Sequence, residues 1–245
     1  MMPKKRCGIL PFVLVMIAFS SCSARIEGVL REGGAADISL KTDLEPKTVA
    51  LIRSIRGFMG DNKDAPVLDG PDISRSMAAS PGIRSVSLKN NGPNGLDGSI
   101  SVSNVVDFLA SEDEKSRFIS YTEGRGAGNS SIIITLDRDT APFIISRLSS
   151  DAGDYLSALM APVVLGEKST RQEYLDLLTM VYGRPLADEI AGARIGVFLQ
   201  FPRPVIKVQG GKAAGKPGQD TWAEFDIPLV DILVLETALR YEVSW

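Results

Sequence analysis

The sequence predicts an α+β fold: an antiparallel sheet with helices concentrated in the middle of the chain and packed on one face. Three observations predict it. Short runs near both ends of the chain alternate apolar and polar residues, the period of a half-buried strand. Clusters rich in Gly and Asn, such as Gly33-Gly34 and Asn90-Asn91-Gly92-Pro93-Asn94-Gly95, join neighbouring runs as hairpin turns do. Between residues 139 and 191 the apolar spacing changes from two to three and four, the period of a helix.

The elements follow in order. Ile26, Gly28 and Leu30 alternate with Arg25, Glu27 and Val29, and Ile38 and Leu40 with Asp37, Ser39 and Lys41, giving a hairpin. Pro46 suits a helix start, and Val49, Ile52, Ile55 and Phe58 follow at helical spacing up to Gly60. Residues 61–72 form an Asp-rich loop, with a short helix at about 73–79. A second hairpin pairs 83–88 with 99–103. A short helix over 105–109, a strand over 118–121 and a continuous β-branched strand over 132–136 come next. That last run predicts burial on both faces.

The middle is helical. Asp139 is placed to cap a helix carrying Phe143, Ile144 and Leu148, and Tyr155, Leu156, Leu159 and Met160 suggest another. The clearest helix runs from Thr170 to Tyr182. Thr170-Arg-Gln-Glu173 has the capping-box pattern, Tyr174, Leu177, Leu178 and Val181 share one face, and Gly183 and Pro185 end it. A short helix over 186–191 follows. The chain then returns to alternating strands at 195–201, 222–227 and 239–245, with 205–209 pairing with the first of these or nearby.

Composition narrows the chemistry. The chain has 245 residues, no histidine, and two cysteines, Cys7 and Cys22. Imidazole-dependent catalysis is excluded, and zinc sites, which use His or Cys, are disfavoured. Neither a cofactor nor a metal is expected. Carboxylate, lysine or tyrosine chemistry, oxygen-ligated cations, or no chemistry remain.

The first 22 residues carry the most specific signal. Lys4, Lys5 and Arg6 precede an apolar run from Gly8 to Phe19, then Ser20, Ser21 and Cys22. The run is too short to span a bilayer and suits a signal-peptide core. This segment resembles the signal peptide and lipobox of bacterial lipoproteins, with Phe19 where Leu is usual, as in the relaxed boxes of spirochaetes. The resemblance implies cleavage before Cys22 and lipidation of its thiol and new amino terminus. Residues 1–21 are then the signal peptide and residues 22–245 a single α+β domain. An ordinary signal peptide cut at Ser21 or Ser23, and an uncleaved anchor, are the alternatives.

By resemblance to enterobacterial sorting, Ser23 after the cysteine favours the outer membrane over the inner one. Two or more acyl chains hold a protein stably on a membrane. Without the three leader cations, 24 basic residues face 30 acidic ones, a net charge of −6 that argues against a nucleic-acid partner. Few residues separate Cys22 from the first strand, a reach of about 10 Å. The body is therefore expected to sit close to the headgroups.

Other motifs are weaker. Gly210-Gly-Lys-Ala-Ala-Gly215-Lys216-Pro217 nearly matches a phosphate loop, but Pro217 has neither hydroxyl nor N–H and a strand follows. Its lysines, Lys212 and Lys216, are candidates for contact with an anionic partner. Gly124-Arg-Gly126-Ala-Gly128 lies between strands and reads as a turn. Asp61, Asp64, Asp69 and Asp72 lack the EF-hand order, and Asp188-Glu189 and Glu112-Asp113-Glu114 are adjacent carboxylates with no special claim. Trp245 reads as a core aromatic on a closing strand, because the helical middle contradicts an outer-membrane barrel.

The leading functional reading is a non-catalytic binding or scaffold module of the cell envelope, held to the membrane by its lipid and meeting an envelope protein. The alternative is a small-ligand or lipid-binding lipoprotein, which requires a sizeable apolar cavity lined by residues such as Phe143, Tyr155 and Tyr174. An enzyme would require two carboxylates converging in a pocket.

Overall fold

A computed structural model describes residues 24–59, 66–110, 118–124, 129–145, 157–213 and 220–245. The leader with Cys22, the Asp61 and Asp64 positions, Glu112 to Glu114 and Lys216 lie outside the described residues.

The α+β class is as the sequence predicts, and the strands form two sheets. Strand β1 (Ala24–Leu30) pairs antiparallel with β2 (Ala36–Asp43), register Ile26 to Leu40, across a turn in which Gly33 and Gly34 take positive φ values of 79° and 78°. Helices α1 (Pro46–Met59) and α2 (Gly70–Ala78) follow, then the hairpin of β3 (Ile83–Asn91) and β4 (Gly95–Val102). Asp69 caps α2 by accepting from the Asp72 N–H at 3.0 Å, a structural role for one of the loop aspartates. Then come α3 (Val105–Ala110), β5 (Ile119–Thr122) and β6 (Ser131–Leu136).

The helical middle contains α4 (Ala141–Ile145), α5 (Ala161–Val164), α6 (Arg171–Tyr182) and α7 (Arg184–Gly192). Strands β7 (Arg194–Gln200), β8 (Lys207–Gln209), β9 (Lys212–Ala213) and β10 (Trp222–Pro228), helix α8 (Leu229–Val234) and strand β11 (Leu239–Ser244) complete the described chain. The first sheet has the order β3-β4-β2-β1-β7-β10-β9 and the second β5-β6-β11-β8. Among the described strands all pairings are antiparallel except β1 with β7, which run parallel with Ala24 beside Ile195.

Several local expectations change. Strand β6 is not buried on both faces: Ser131 to Thr135 are half-buried, because the strand belongs to an antiparallel sheet with one face turned inward. Residues 207–209 pair with β11 and not with β7. Asp137, rather than Asp139, precedes α4, accepting from the N–H groups of Asp139 and Thr140 at 3.0 and 2.8 Å. Asp139 is displaced because the Asp137 carboxylate reaches the free N–H groups first and also takes the Thr140 hydroxyl at 2.9 Å.

The capping box on α6 forms as predicted. The Thr170 hydroxyl accepts from the Glu173 N–H at 3.2 Å, and the Glu173 carboxylate accepts from the Thr170 N–H at 2.8 Å. Of the predicted apolar face, Tyr174 and Leu178 are buried, but Leu177 and Val181 are exposed.

Helices α1, α6, α7 and α8 gather where β1 and β7 begin. Helix α7 leads through Ala193 into β7, and the Ala193 carbonyl accepts from the Leu229 N–H at the start of α8. The Glu189 carboxylate of α7 accepts from the Lys47 and Thr48 N–H groups at 3.3 and 3.1 Å, so it satisfies the free N-terminal amides of α1. Glu189→Ala is expected to cost about 1 kcal/mol, the usual value of an N-terminal cap. Urea unfolding checks this, and Glu189→Gln is expected to recover part of the loss.

Helix α8 is apolar on nearly every side, and Leu229, Val230, Leu233 and Val234 are at most 2% exposed. Its last carbonyls fall to Arg138, whose Nε donates to Leu235 O and Nη2 to Val234 O, both at 2.9 Å, while Nη1 donates to Glu167 O. One guanidinium thus ties the end of β6 to α8 and to the segment before α6.

Asp37 marks the outward side of the first hairpin. Arg31 donates to it at 2.6 Å and the Ser101 hydroxyl at 2.8 Å, and these bonds, Arg31 first, hold its carboxyl below the ordinary value. A depressed folded pKa stabilises the fold above the unfolded value, and that stabilisation is lost as pH falls through the folded value. The difference in melting temperature between the natural protein and Asp37→Asn is therefore expected to be present at neutral pH and to shrink in acid. Thermal unfolding across that range checks it.

Candidate functional site

The inward positions of the two sheets leave a gap between them. Ile26 on β1, Ile38 on β2, Ile100 on β4, Val197 on β7 and Ile227 on β10 look across at Ile119 on β5, Ile132 and Ile134 on β6, and Leu239 and Tyr241 on β11. Between them lies a cavity of about 200 Å³, closed further by Met77 of α2, Phe108 of α3 and Ile232 of α8. Strand alternation puts these residues there. Every second side chain of each strand points to one face, and these faces carry Ile, Val and Leu. Ile26, Ile38, Ile132, Ile134 and Val197 stay half-buried although they point between the sheets, because no side chain among the described residues fills the gap.

The lining residues carry no charge, and the surface they present to the cavity is wholly apolar. Tyr241 lines it without turning its hydroxyl into the space. Burial first, then the nearby Asp231 and Asp226 charges, push that hydroxyl up to about 12, so it stays protonated as a hydrogen-bond donor. The ring is fixed edge-on against Phe225 at 5.6 Å. Among the described lining residues there is no nucleophile and no acid–base pair. Such a cavity can hold an apolar body.

One end of the intersheet space is closed by aromatic rings. Trp245 is 3% exposed and packs on Phe201 at 4.5 Å and on Tyr121 at 6.1 Å between ring centroids. Its backbone exchanges two hydrogen bonds with Ser130, at 3.0 and 2.8 Å. Beyond these rings Arg31, Glu32, Tyr121, Glu123, Ser130 and Arg203 line a polar pocket of about 360 Å³. Arg203 donates to the Ser130 hydroxyl at 3.0 Å, and Arg31 is paired with Asp37.

The predicted site residues fall elsewhere. Lys212, on the exposed β9–β10 hairpin, has its Nζ 3.3 Å from the Glu224 carboxylate, so its charge is met within its own hairpin. Asp188 faces Arg184 at 3.7 Å while Glu189 caps α1, so these two carboxylates diverge. Tyr174 does not line the cavity: it is buried in the helical layer, where its hydroxyl donates to Leu159 O at 2.8 Å and burial raises its pKa. The Phe143 side chain and Tyr155 lie outside the described residues. Among the described residues no helix is long and apolar enough to cross a membrane.

No protein-family model matches this chain, and no curated protein matches it by sequence. Among solved structures it is similar to the folded domain of the LppM protein of Mycobacterium tuberculosis. The TM-score is 0.38 and the identity 11%, over 91% of this chain and 88% of that one. A likeness of that size assigns neither a family nor a ligand.

Proposed function

We propose that this chain is a cell-envelope lipoprotein, anchored through Cys22, whose body binds an apolar ligand between its two sheets. The supporting observation is the apolar cavity. At about 24 cal/mol per Å³, leaving 200 Å³ empty costs roughly 5 kcal/mol. That equals the whole net stability of a marginal domain, about 5–15 kcal/mol. Water does not offset it, since apolar cavities stay dry. An apolar guest does, through buried area and restored packing.

The volume suits a small apolar group or part of one acyl chain, since a cavity of about 150 Å³ accepts benzene. The body formed by residues 22–245 would act as one ligand-binding domain, held at the membrane by its lipid, with the outer membrane favoured. Contact of Lys212 and Lys216 with an anionic envelope partner is a secondary part of the reading.

Mass spectrometry of the protein purified without detergent from producing cells tests both halves. The denatured mass is expected to carry acyl groups on Cys22. The native mass is expected to carry a further noncovalent molecule that organic solvent releases. A native mass equal to the polypeptide with its covalent lipid, in every preparation, overturns the ligand-binding half.

A further inference from the structure

The outer face of α6 has no apolar partner in the described structure. Over its last turn and a half Leu177, Met180, Val181 and Tyr182 are 47%, 83%, 58% and 50% exposed. Leu177, Met180 and Val181 share one side of the helix, being three and four residues apart. Glu173, one turn back on that side, ends the patch, and Arg184 follows it with an exposed guanidinium. Clustered exposed apolar side chains of this kind mark a contact surface.

The topology connects this patch, through α7, to the end of the first sheet where β1 starts. Ala24, two residues after Cys22, pairs with Ile195, which lies three residues beyond the end of α7. Helix α7 has nine residues, about 14 Å long at 1.5 Å per residue. Its other end meets the last turn of α6 through Gly183. The β1–β2 turn lies at the opposite end of β1, roughly 20 Å away at ~3.3 Å per residue.

We infer that the last turns of α6 form the membrane-facing surface of the body, with Leu177, Met180 and Val181 dipping into the lipid interface beside the Cys22 anchor. This rests on the lipid-anchor reading. Tyr182 is suited to the headgroup level, where amphipathic rings collect, and Arg184 can reach outward to phosphate. The patch is too small to hold the protein by itself. It sets the orientation once the acyl chains hold the chain at short range. The net acidic charge favours apolar insertion over electrostatic attraction as the source of the contact.

Single-cysteine labelling tests it, because Cys22 is blocked when lipidated and Cys7 belongs to the leader. Full-length Met180→Cys and Glu32→Cys chains are produced, their lipidation is read by mass, and each is labelled with a fluorophore. Both are placed in vesicles of phosphatidylethanolamine and phosphatidylglycerol. Position 180 is expected to lose access to aqueous iodide when vesicles are present, and position 32 to keep it. A lipidated protein whose position 180 stays as quenchable as position 32 overturns this inference and leaves the anchor intact. Shielding of position 180 before vesicles are added means that protein covers the patch, which also overturns it. A mass without lipid on Cys22 overturns the anchor reading and this inference together.

Discussion

Trp245→Ala is expected to lower the unfolding free energy by about 3–5 kcal/mol, the range for removing a large buried aromatic. Trp245 joins the two sheets at one end of the intersheet space. It stacks on Phe201, which continues β7 of the first sheet, and on Tyr121 of β5 in the second. Its loss removes these ring contacts and opens the apolar interior toward the polar pocket around Arg31 and Arg203. Water then reaches Val243 and the far end of the cavity lining. Trp245→Phe keeps most of the buried area and is expected to lose less than half as much. Urea unfolding followed by far-ultraviolet circular dichroism measures both variants. A loss below about 1 kcal/mol for the alanine variant contradicts the role given to this residue.

Val197→Phe is expected to lower affinity for an apolar guest at least tenfold, about 1.4 kcal/mol, without destabilising the protein. Val197 sits at the middle of the lining, flanked in register by Ile26 on β1 and Phe225 on β10. In a filled core a larger side chain costs about 1–3 kcal/mol through strain. Here the ring has space to occupy, so the melting temperature of the ligand-free protein is expected to hold or rise. Titration with a fluorescent fatty acid, beside thermal unfolding, separates the cases. Lower stability with unchanged affinity contradicts a cavity at this position.

Much of the fold was legible because its signals are local. The Gly33-Gly34 hairpin, the β3–β4 hairpin, the Thr170–Glu173 capping box and the closing strand to Trp245 each depend on residues a few positions apart. The parallel pairing of β1 with β7 joins segments separated by most of the chain and has no such signal. Helix α8 carries no such local signal either. Six residues, apolar on nearly every side, have no amphipathic period, and the strands around them bias the reading toward a strand.

The site was legible only in its parts. The alternation of Ile26, Ile38, Ile132 and Ile134 gives their inward direction, but not whether the facing sheet comes close enough to fill the space. Helical spacing has the same weakness: Leu177 and Val181 fit an apolar stripe equally well whether it meets a core or nothing. Tyr174 has the size of a cavity-lining residue, yet its hydroxyl donates to Leu159 O inside the helical layer.

The most direct test of the central claim is photo-crosslinking of the folded protein with a diazirine fatty acid, mapped by peptide mass spectrometry. The expected result is adducts on inward residues of both sheets, such as Ile26, Ile38, Ile134 and Tyr241, suppressed by unlabelled fatty acid and by Val197→Phe. Adducts confined to the outer surface, including the Met180 patch, or adducts that unlabelled fatty acid does not suppress, would contradict a ligand held between the sheets.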